Sequence, residues 1–141
     1  MEIRQFNNDD TQAVIALWQA CGLLRPWNDP NKGIERKLAV QPELFLVGLT
    51  ENKIIASVMA GYDGHRGSVY YLAVEPGQQK MGYGRKLMEA TEELLTRLGC
   101  PKLNILVRSS NLEAIDFYLS LAYKQDEVIS IGKRLIKDGS K

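Results

Sequence analysis

Histidine and cysteine are scarce in this chain: His65 stands alone, and Cys21 and Cys100 are the only thiols in 141 residues. One imidazole excludes a His-based zinc cluster, and two distant cysteines lack metal-ligand spacing, so no metal is expected. No apolar run approaches the length of a membrane span, and Met1-Glu2-Ile3-Arg4 has no signal-peptide character. No membrane partner is expected, and the expected setting is reducing and cytoplasmic. Charge of neither sign is in excess: 18 Lys and Arg stand against 17 Asp and Glu, a net +1, which argues against nucleic acid as a partner. Repeats, low-complexity tracts and linkers are missing too. The remaining composition, 45% hydrophobic and 25% charged, suits one globular domain over residues 1–141 with a proper core.

The stretch around which the chain is organised is Val69-Tyr70-Tyr71-Leu72-Ala73-Val74-Glu75-Pro76, continuing through Gln79-Lys80-Met81-Gly82-Tyr83-Gly84. The apolar run reads as a buried strand that Pro76-Gly77 ends. From Arg85 to Leu98, apolar residues at Leu87, Met88, Leu94, Leu95 and Leu98 follow a helical period. Strand, glycine loop and helix in that order make an anion site, because the first helical amides lack partners and the dipole favours negative charge there. Gly82 and Gly84 carry no Cβ and leave room for a ligand at the backbone. A Walker loop needs Gly-Lys-Ser/Thr, which is missing, and the dinucleotide fingerprint needs a glycine where Leu87 stands.

Elsewhere the patterning alternates between strand and helix. Glu2 to Phe6 reads as a short edge strand, followed by a helix capped by Asn8, Asp9 or Asp10 and stopped near Gly22. Leu23 to Pro30 is an irregular loop, since Trp27 lies between two prolines. Asn31 to Ala39 reads as a short helix. Leu44–Thr50 and Ile54–Tyr62 form a hairpin with Asn52 in its turn. The polar connection Gly61-Tyr62-Asp63-Gly64-His65-Arg66-Gly67 leads into the central strand. Leu103–Val107 is a further buried strand, Asn111–Leu121 a helix, and Tyr123–Ile136 two closing strands around Asp126-Glu127.

On that last helix, Asn111, Ala114, Ile115 and Tyr118 share one face. Capping accounts for Asn111 and Glu113, and core packing accounts for a tyrosine there. Read together, Gln79-x-x-Gly82-x-Gly84 after a Val-x-Pro strand end resembles the acetyl-coenzyme A loop of the GNAT acetyltransferases. Asn111-x-x-Ala114-x-x-x-Tyr118 followed by Leu121-Ala122-Tyr123 is similar to their second signature, with Ala for Gly. The two motifs stand in family order, each between a strand and a helix, and the likeness extends over nearly the whole chain. Leu24–Pro30 together with Gly61–Ser68 is similar, more closely, to the small bacterial YpeA-type acetyltransferases. The resemblance implies an α/β (α+β) GNAT fold, with a mixed central sheet of about six to seven strands, splayed at the middle, and about four flanking helices.

It also implies an acetyl-CoA-dependent N-acetyltransferase acting on a primary amine, either a small molecule or a protein lysine or N-terminus, by direct attack in a ternary complex. Acetyl-CoA is implied as co-substrate, with its pantetheine lying along Leu72, Ala73 and Val74 and pairing with the backbone at Leu72 and Val74. Its pyrophosphate is implied on the amides from Gln79 through Lys80, Met81, Gly82, Tyr83 and Gly84 to Arg85, with Asn111 as a side-chain contact. Tyr118 falls where the family places the proton donor to the departing thiolate. For the acceptor side the candidates are Trp27, Asp63, His65, Tyr71 and Glu75, and Asp63, His65 or Glu75 could take the amine proton, directly or through water. A cationic acceptor is compatible with Asp29, Asp63 and Glu75. A homodimer is common among GNATs of this size. Family members that acetylate the N-terminal alanine of a ribosomal protein place a glutamate base where Leu106 stands, and leucine takes no proton. The competing expectation is a non-catalytic acyl-CoA-binding module. That reading keeps the loop without the acceptor chemistry.

Overall fold

Alternation along the two strands of the hairpin sends apolar side chains to both faces of one sheet, and helices cover both. The computed structural model describes residues 1–138. Among them β1 (Glu2–Gln5), β2 (Phe45–Thr50), β3 (Lys53–Tyr62), β4 (Gly67–Val74) and β5 (Leu103–Asn104) follow one another across the sheet in sequence order. The first four pair antiparallel and β4–β5 is parallel. The helices are α1 (Thr11–Ala20), α2 (Pro30–Leu38), α3 (Tyr83–Arg97) and α4 (Leu112–Ser120). This is the expected mixed α/β architecture.

Phe45, Val47 and Leu49 of β2 face α1 and α2, meeting Val14, Leu17, Trp18 and Ile34. Leu46 of β2 with Ala56, Val58 and Ala60 of β3 faces α3, meeting Leu87, Met88 and Leu95. Each of the large side chains among them contributes about 1.5–3 kcal/mol on leaving water. Local signals set the ends of elements. Asn7 caps a short 3-10 turn that leads into α1, closing a capping box with Asp10. Asp29 caps α2 through the amides of Asn31 and Lys32, with Pro30 in the first turn. Glu51 and Asn52 both take positive φ, 51° and 63°, as a tight hairpin turn demands.

The sheet differs from expectation at its far side. β5 holds only Leu103 and Asn104, which pair with Gly67 and Ser68; Val69 to Val74 have no β5 partner, so the two strands part as the splay requires. Tyr123 to Ile136 forms no strand, which leaves five strands among the described residues rather than six or seven. The apolar residues read there as strand, Val128, Ile129, Ile131, Leu135 and Ile136, are all exposed. A ladder needs an edge to pair with, and two residues of β5 offer too short a one. The segment is instead tied by side chains: Lys102 to Asp126, Asn28 to Arg134 and Arg36 to Asp138.

Candidate functional site

β4 positions the site. Ser57 pairs with Ala73 and Met59 with Tyr70, so Tyr71 and Leu72 together stand opposite Val58, a bulge. Tyr71 takes φ 54° there, a left-handed conformation that a tyrosine adopts only when its surroundings impose it. Two contacts do so. Its ring stacks on Trp18 at 3.9 Å and 13°, and its carbonyl accepts from Ser57 Oγ at 3.1 Å. Ser57 Oγ in turn accepts from Trp18 Nε1 at 2.9 Å, which satisfies the buried indole N–H. Burial raises the Tyr71 hydroxyl above its usual range, and the charge of Arg25 acts against that rise.

At the end of β4 the Val74 carbonyl accepts from Gln79 Nε2 at 3.0 Å and from Cys21 Sγ at 3.3 Å. Gln79 therefore ties the loop to the strand with its side chain. The backbone then turns left-handed at Lys80 (φ 65°) and again at Gly82 (φ 82°), the residue before α3. No side chain caps α3, and the first helical bond runs from the Lys86 amide to the Gly82 carbonyl at 3.1 Å. The amides of Tyr83, Gly84 and Arg85 are left as a cradle open to an anion. A Cβ on Gly82 would meet nothing within 4 Å. Gly84 is needed for a different reason: a Cβ there would stand 3.0 Å from Phe117 Cζ on α4. The Arg85 side chain is exposed beside the cradle, and Lys86 lies 6.0 Å over the Tyr83 ring.

α4 brings the second set of residues. Asn111 Oδ1 accepts from the Ala114 amide at 3.1 Å, so its oxygen caps the helix and its amide nitrogen stays available. Tyr118 packs in the same apolar cluster as Leu72, Val74 and Tyr83, with its ring edge-on to Phe117 and Tyr123. Burial pushes its hydroxyl pKa up to about 12, so it holds its proton at neutral pH. Asn104, where β4 and β5 part, has a buried Oδ1 with no hydrogen-bond partner among the described residues. Open strand edge, uncapped amides and this orphaned acceptor together fit an extended ligand with a phosphate end and amide groups, as acetyl-CoA is.

The acceptor candidates divide. Trp27 is 47% exposed on the loop that carries Arg25, and Tyr71 lies within reach of that arginine's charge. Asp63 and His65 lie in the β3–β4 turn, beyond Gly67 and at the opposite end of β4 from Val74. Eight strand residues there span about 26 Å at ~3.3 Å each. The Asp63 carboxylate accepts from the amides of Arg66 and His65 at 2.8 Å, which hold it below the usual carboxylate range. Glu75 pairs with Lys53 at 3.2 Å. Leu106 is exposed past the end of β5. Sequence patterns gave no signal for Cys21, Ser57 or Phe117, whose roles arise only when distant segments meet. Among the described residues no three His, Cys, Asp or Glu side chains cluster as metal ligands, and no helix is long and apolar enough to cross a membrane. A pocket of about 350 Å³ at Glu92, Leu95, Cys100 and Tyr123 lies by the C-terminal half of α3, at the other end of that helix from the uncapped amides.

Residues 6–123 match the family model described as acetyltransferase (GNAT) family. A protein from Yersinia pestis named acetyltransferase is 53% identical over 138 residues, 98% of each chain. Among solved structures, a putative acetyltransferase from Agrobacterium tumefaciens superposes with a TM-score of 0.79 at 16% identity, covering 95% of this chain and 100% of that one. The ribosomal-protein-S18-alanine N-acetyltransferase from Escherichia coli gives 0.75 at 24% identity, covering 89% and 78%.

Proposed function

Because this chain belongs to the GNAT family of acetyltransferases and is an acetyl-CoA-dependent N-acetyltransferase, we propose that it acetylates a primary amine by direct attack on the thioester within a ternary complex. The observation that carries this reading is the uncapped N-terminus of α3 at the end of a β4 edge that has lost its parallel partner. The amides of Tyr83, Gly84 and Arg85 hold pyrophosphate, with Arg85 adding charge. Leu72, Ala73 and Val74 offer the strand backbone to the pantetheine. Val74's carbonyl already has two donors, so its N–H is the group left for the ligand. The carbonyl of the acetyl group rests against an amide near the Tyr71 bulge, where charge develops as the amine attacks.

Tyr118 donates a hydrogen bond to the departing thiolate. A hydroxyl near 12 does not surrender its proton outright to a thiolate of ordinary basicity, about 8.5. Its part is to stabilise the leaving sulfur, while the proton lost by the amine supplies the thiol. Asn111 contributes its free amide nitrogen to the cofactor.

The test is thiol release from acetyl-CoA against amines, amino acids, polyamines and lysine or N-terminal peptides. Acceptor-dependent release supports the reading. Confirmed acetyl-CoA binding with no release across both small-molecule and protein acceptors would count against it.

A further inference from the structure

The acids that could have welcomed a cationic acceptor are already engaged. Asp29 caps α2, Asp63 closes its own turn, and Glu75 is paired with Lys53. The guanidiniums around the Trp27 loop have no such partners. Arg25, half-buried, rests its Nη1 on the carbonyls of Gly22 and Leu24 at 2.8 and 3.0 Å, leaving Nη2 and Nε free. Arg134 reaches across from the C-terminal segment to the Asn28 side chain and to the Ile136 carbonyl. The Asn28 amide donates to the Arg25 carbonyl at 3.1 Å, so both arginines flank a single turn. Neither meets a carboxylate among the described residues.

The surrounding field has the same sign. Segments 25–36 and 133–138 carry six Lys and Arg against three acids. One of those acids shows what the corner binds. The Asp138 carboxylate, its side chain 3% exposed, accepts from both Nη atoms of Arg36 at 2.7 and 2.8 Å. A planar two-oxygen anion meets a two-nitrogen fork there, the geometry that distinguishes carboxylate recognition by arginine.

Building on the N-acetyltransferase reading above, we propose that the acceptor carries a carboxylate beside its amine, as an α-amino acid does, and that Arg25 and Arg134, which flank the Arg25–Asn28 turn, hold this carboxylate. The loop that Arg25 grips is seated against β4: Leu24 packs on the same cluster as Tyr71, and Cys21, next to Gly22, reaches the Val74 carbonyl at 3.3 Å, so the guanidinium lies on the Tyr71 side of the C-terminal half of β4. The same charge serves the chemistry. A cationic wall disfavours the ammonium form of the acceptor and so lowers the pKa of the amine that must become neutral. With Asp63 and Glu75 engaged elsewhere, the ammonium proton leaves to solvent before attack, and the second proton, lost from nitrogen as the amide forms, supplies the thiol.

The experiment compares matched acceptors: amino acids, their amides, and the corresponding amines without the carboxyl group. Thiol release should favour the carboxylate member of each pair by about ten-fold or more in kcat/KM. Arg25→Gln and Arg134→Gln should each raise KM for the carboxylate acceptors by a similar factor, while the amides lose only what the raised amine pKa costs, a loss that alkaline pH restores. Equal turnover of acids and amides, or equal loss for both in the variants, overturns the proposal. A second readout is independent of turnover. N-acetylated amino acids and their amides are titrated calorimetrically into the CoA-bound protein. Tighter binding of the acids, abolished by either variant, supports the carboxylate site; no difference overturns it. Failure to bind acetyl-CoA at all would instead overturn the reading on which it rests.

Discussion

Phe117 Cζ on α4 stands 3.0 Å from where a Cβ would lie on Gly84 of α3. The two helices that carry the family's two motifs thus touch through the second glycine of the anion loop. Phe117 is the neighbour of Tyr118, and the rings of the two meet edge-on with centroids 5.1 Å apart. The proposed cradle for the phosphate and the proposed donor to the sulfur are therefore linked through the Phe117 ring.

Gly84→Ala tests that coupling. A methyl at 3.0 Å forces Phe117 aside, and overpacking of this kind costs about 1–3 kcal/mol. Lower stability in urea unfolding is expected, together with a fall in kcat as Tyr118 shifts. Gly84→Ala combined with Phe117→Leu should recover part of both, because the leucine vacates the ring's edge. A stable Gly84→Ala protein with unchanged kcat would show that the contact relaxes at no cost.

Tyr118→Phe removes the hydroxyl and keeps the ring in its packing against Phe117 and Tyr123. With the donor lost, kcat should fall by about 10²-fold while acetyl-CoA affinity by calorimetry stays within about two-fold. The pH dependence has a defined sign. The hydroxyl pKa lies near 12, so Tyr118 remains protonated throughout the working range. Activity of the parent protein should rise as the acceptor amine deprotonates and show no alkaline decline below about pH 10. An alkaline limb that vanishes in Tyr118→Phe would mean the hydroxyl titrates much lower than its burial dictates.

Local chemistry made much of this molecule legible in the sequence. Pro76 after an apolar run and the Asn111 cap both act within a few residues, and so they read correctly from the sequence. The reason for Gly84 did not: it comes from Phe117, thirty-three positions away. Tyr71 read as an ordinary strand residue, because its positive φ depends on Trp18 and Ser57, which no local pattern connects. Asp63 and His65 are candidates for taking the amine proton that no motif selects, and the structure puts their turn at the opposite end of β4 from Val74. The pair of closing strands failed for the converse reason. Alternation from Val128 to Ile136 is a genuine strand pattern, but pairing needs an edge and β5 is two residues long.

Ser57→Ala should reveal how Tyr71 is held. The substitution leaves the buried Trp18 Nε1–H without its acceptor and the Tyr71 carbonyl without its donor, at a cost of about 1–3 kcal/mol. Trp18→Phe removes the N–H as well, so the double variant should lose less than the two singles added together. Denaturant midpoints of the four proteins give the coupling directly. Additive losses would mean that the serine holds the indole and the bulge independently.

Asp10 supplies a stability that depends on pH. Its carboxylate accepts from Arg4 at 2.8 and 3.0 Å and from the Asn7 amide at 2.9 Å, joining β1 to the start of α1. The Arg4 hydrogen bonds are the largest cause of its lowered pKa, against a smaller opposing effect of burial. A carboxylate depressed in the folded state stabilises fully above its unfolded pKa, about 3.9. That contribution is lost as pH falls through the folded value. Asp10→Asn keeps the shape and removes the charge, and it should cost about 1–2 kcal/mol at pH 7, in the range of a helix cap. The gap between the parent and Asp10→Asn should then be flat from pH 7 to about 5 and close progressively below about 4. Melting temperatures of both proteins across that range measure it; a gap that persists unchanged to pH 2 would assign the loss to packing and not to the ion pair.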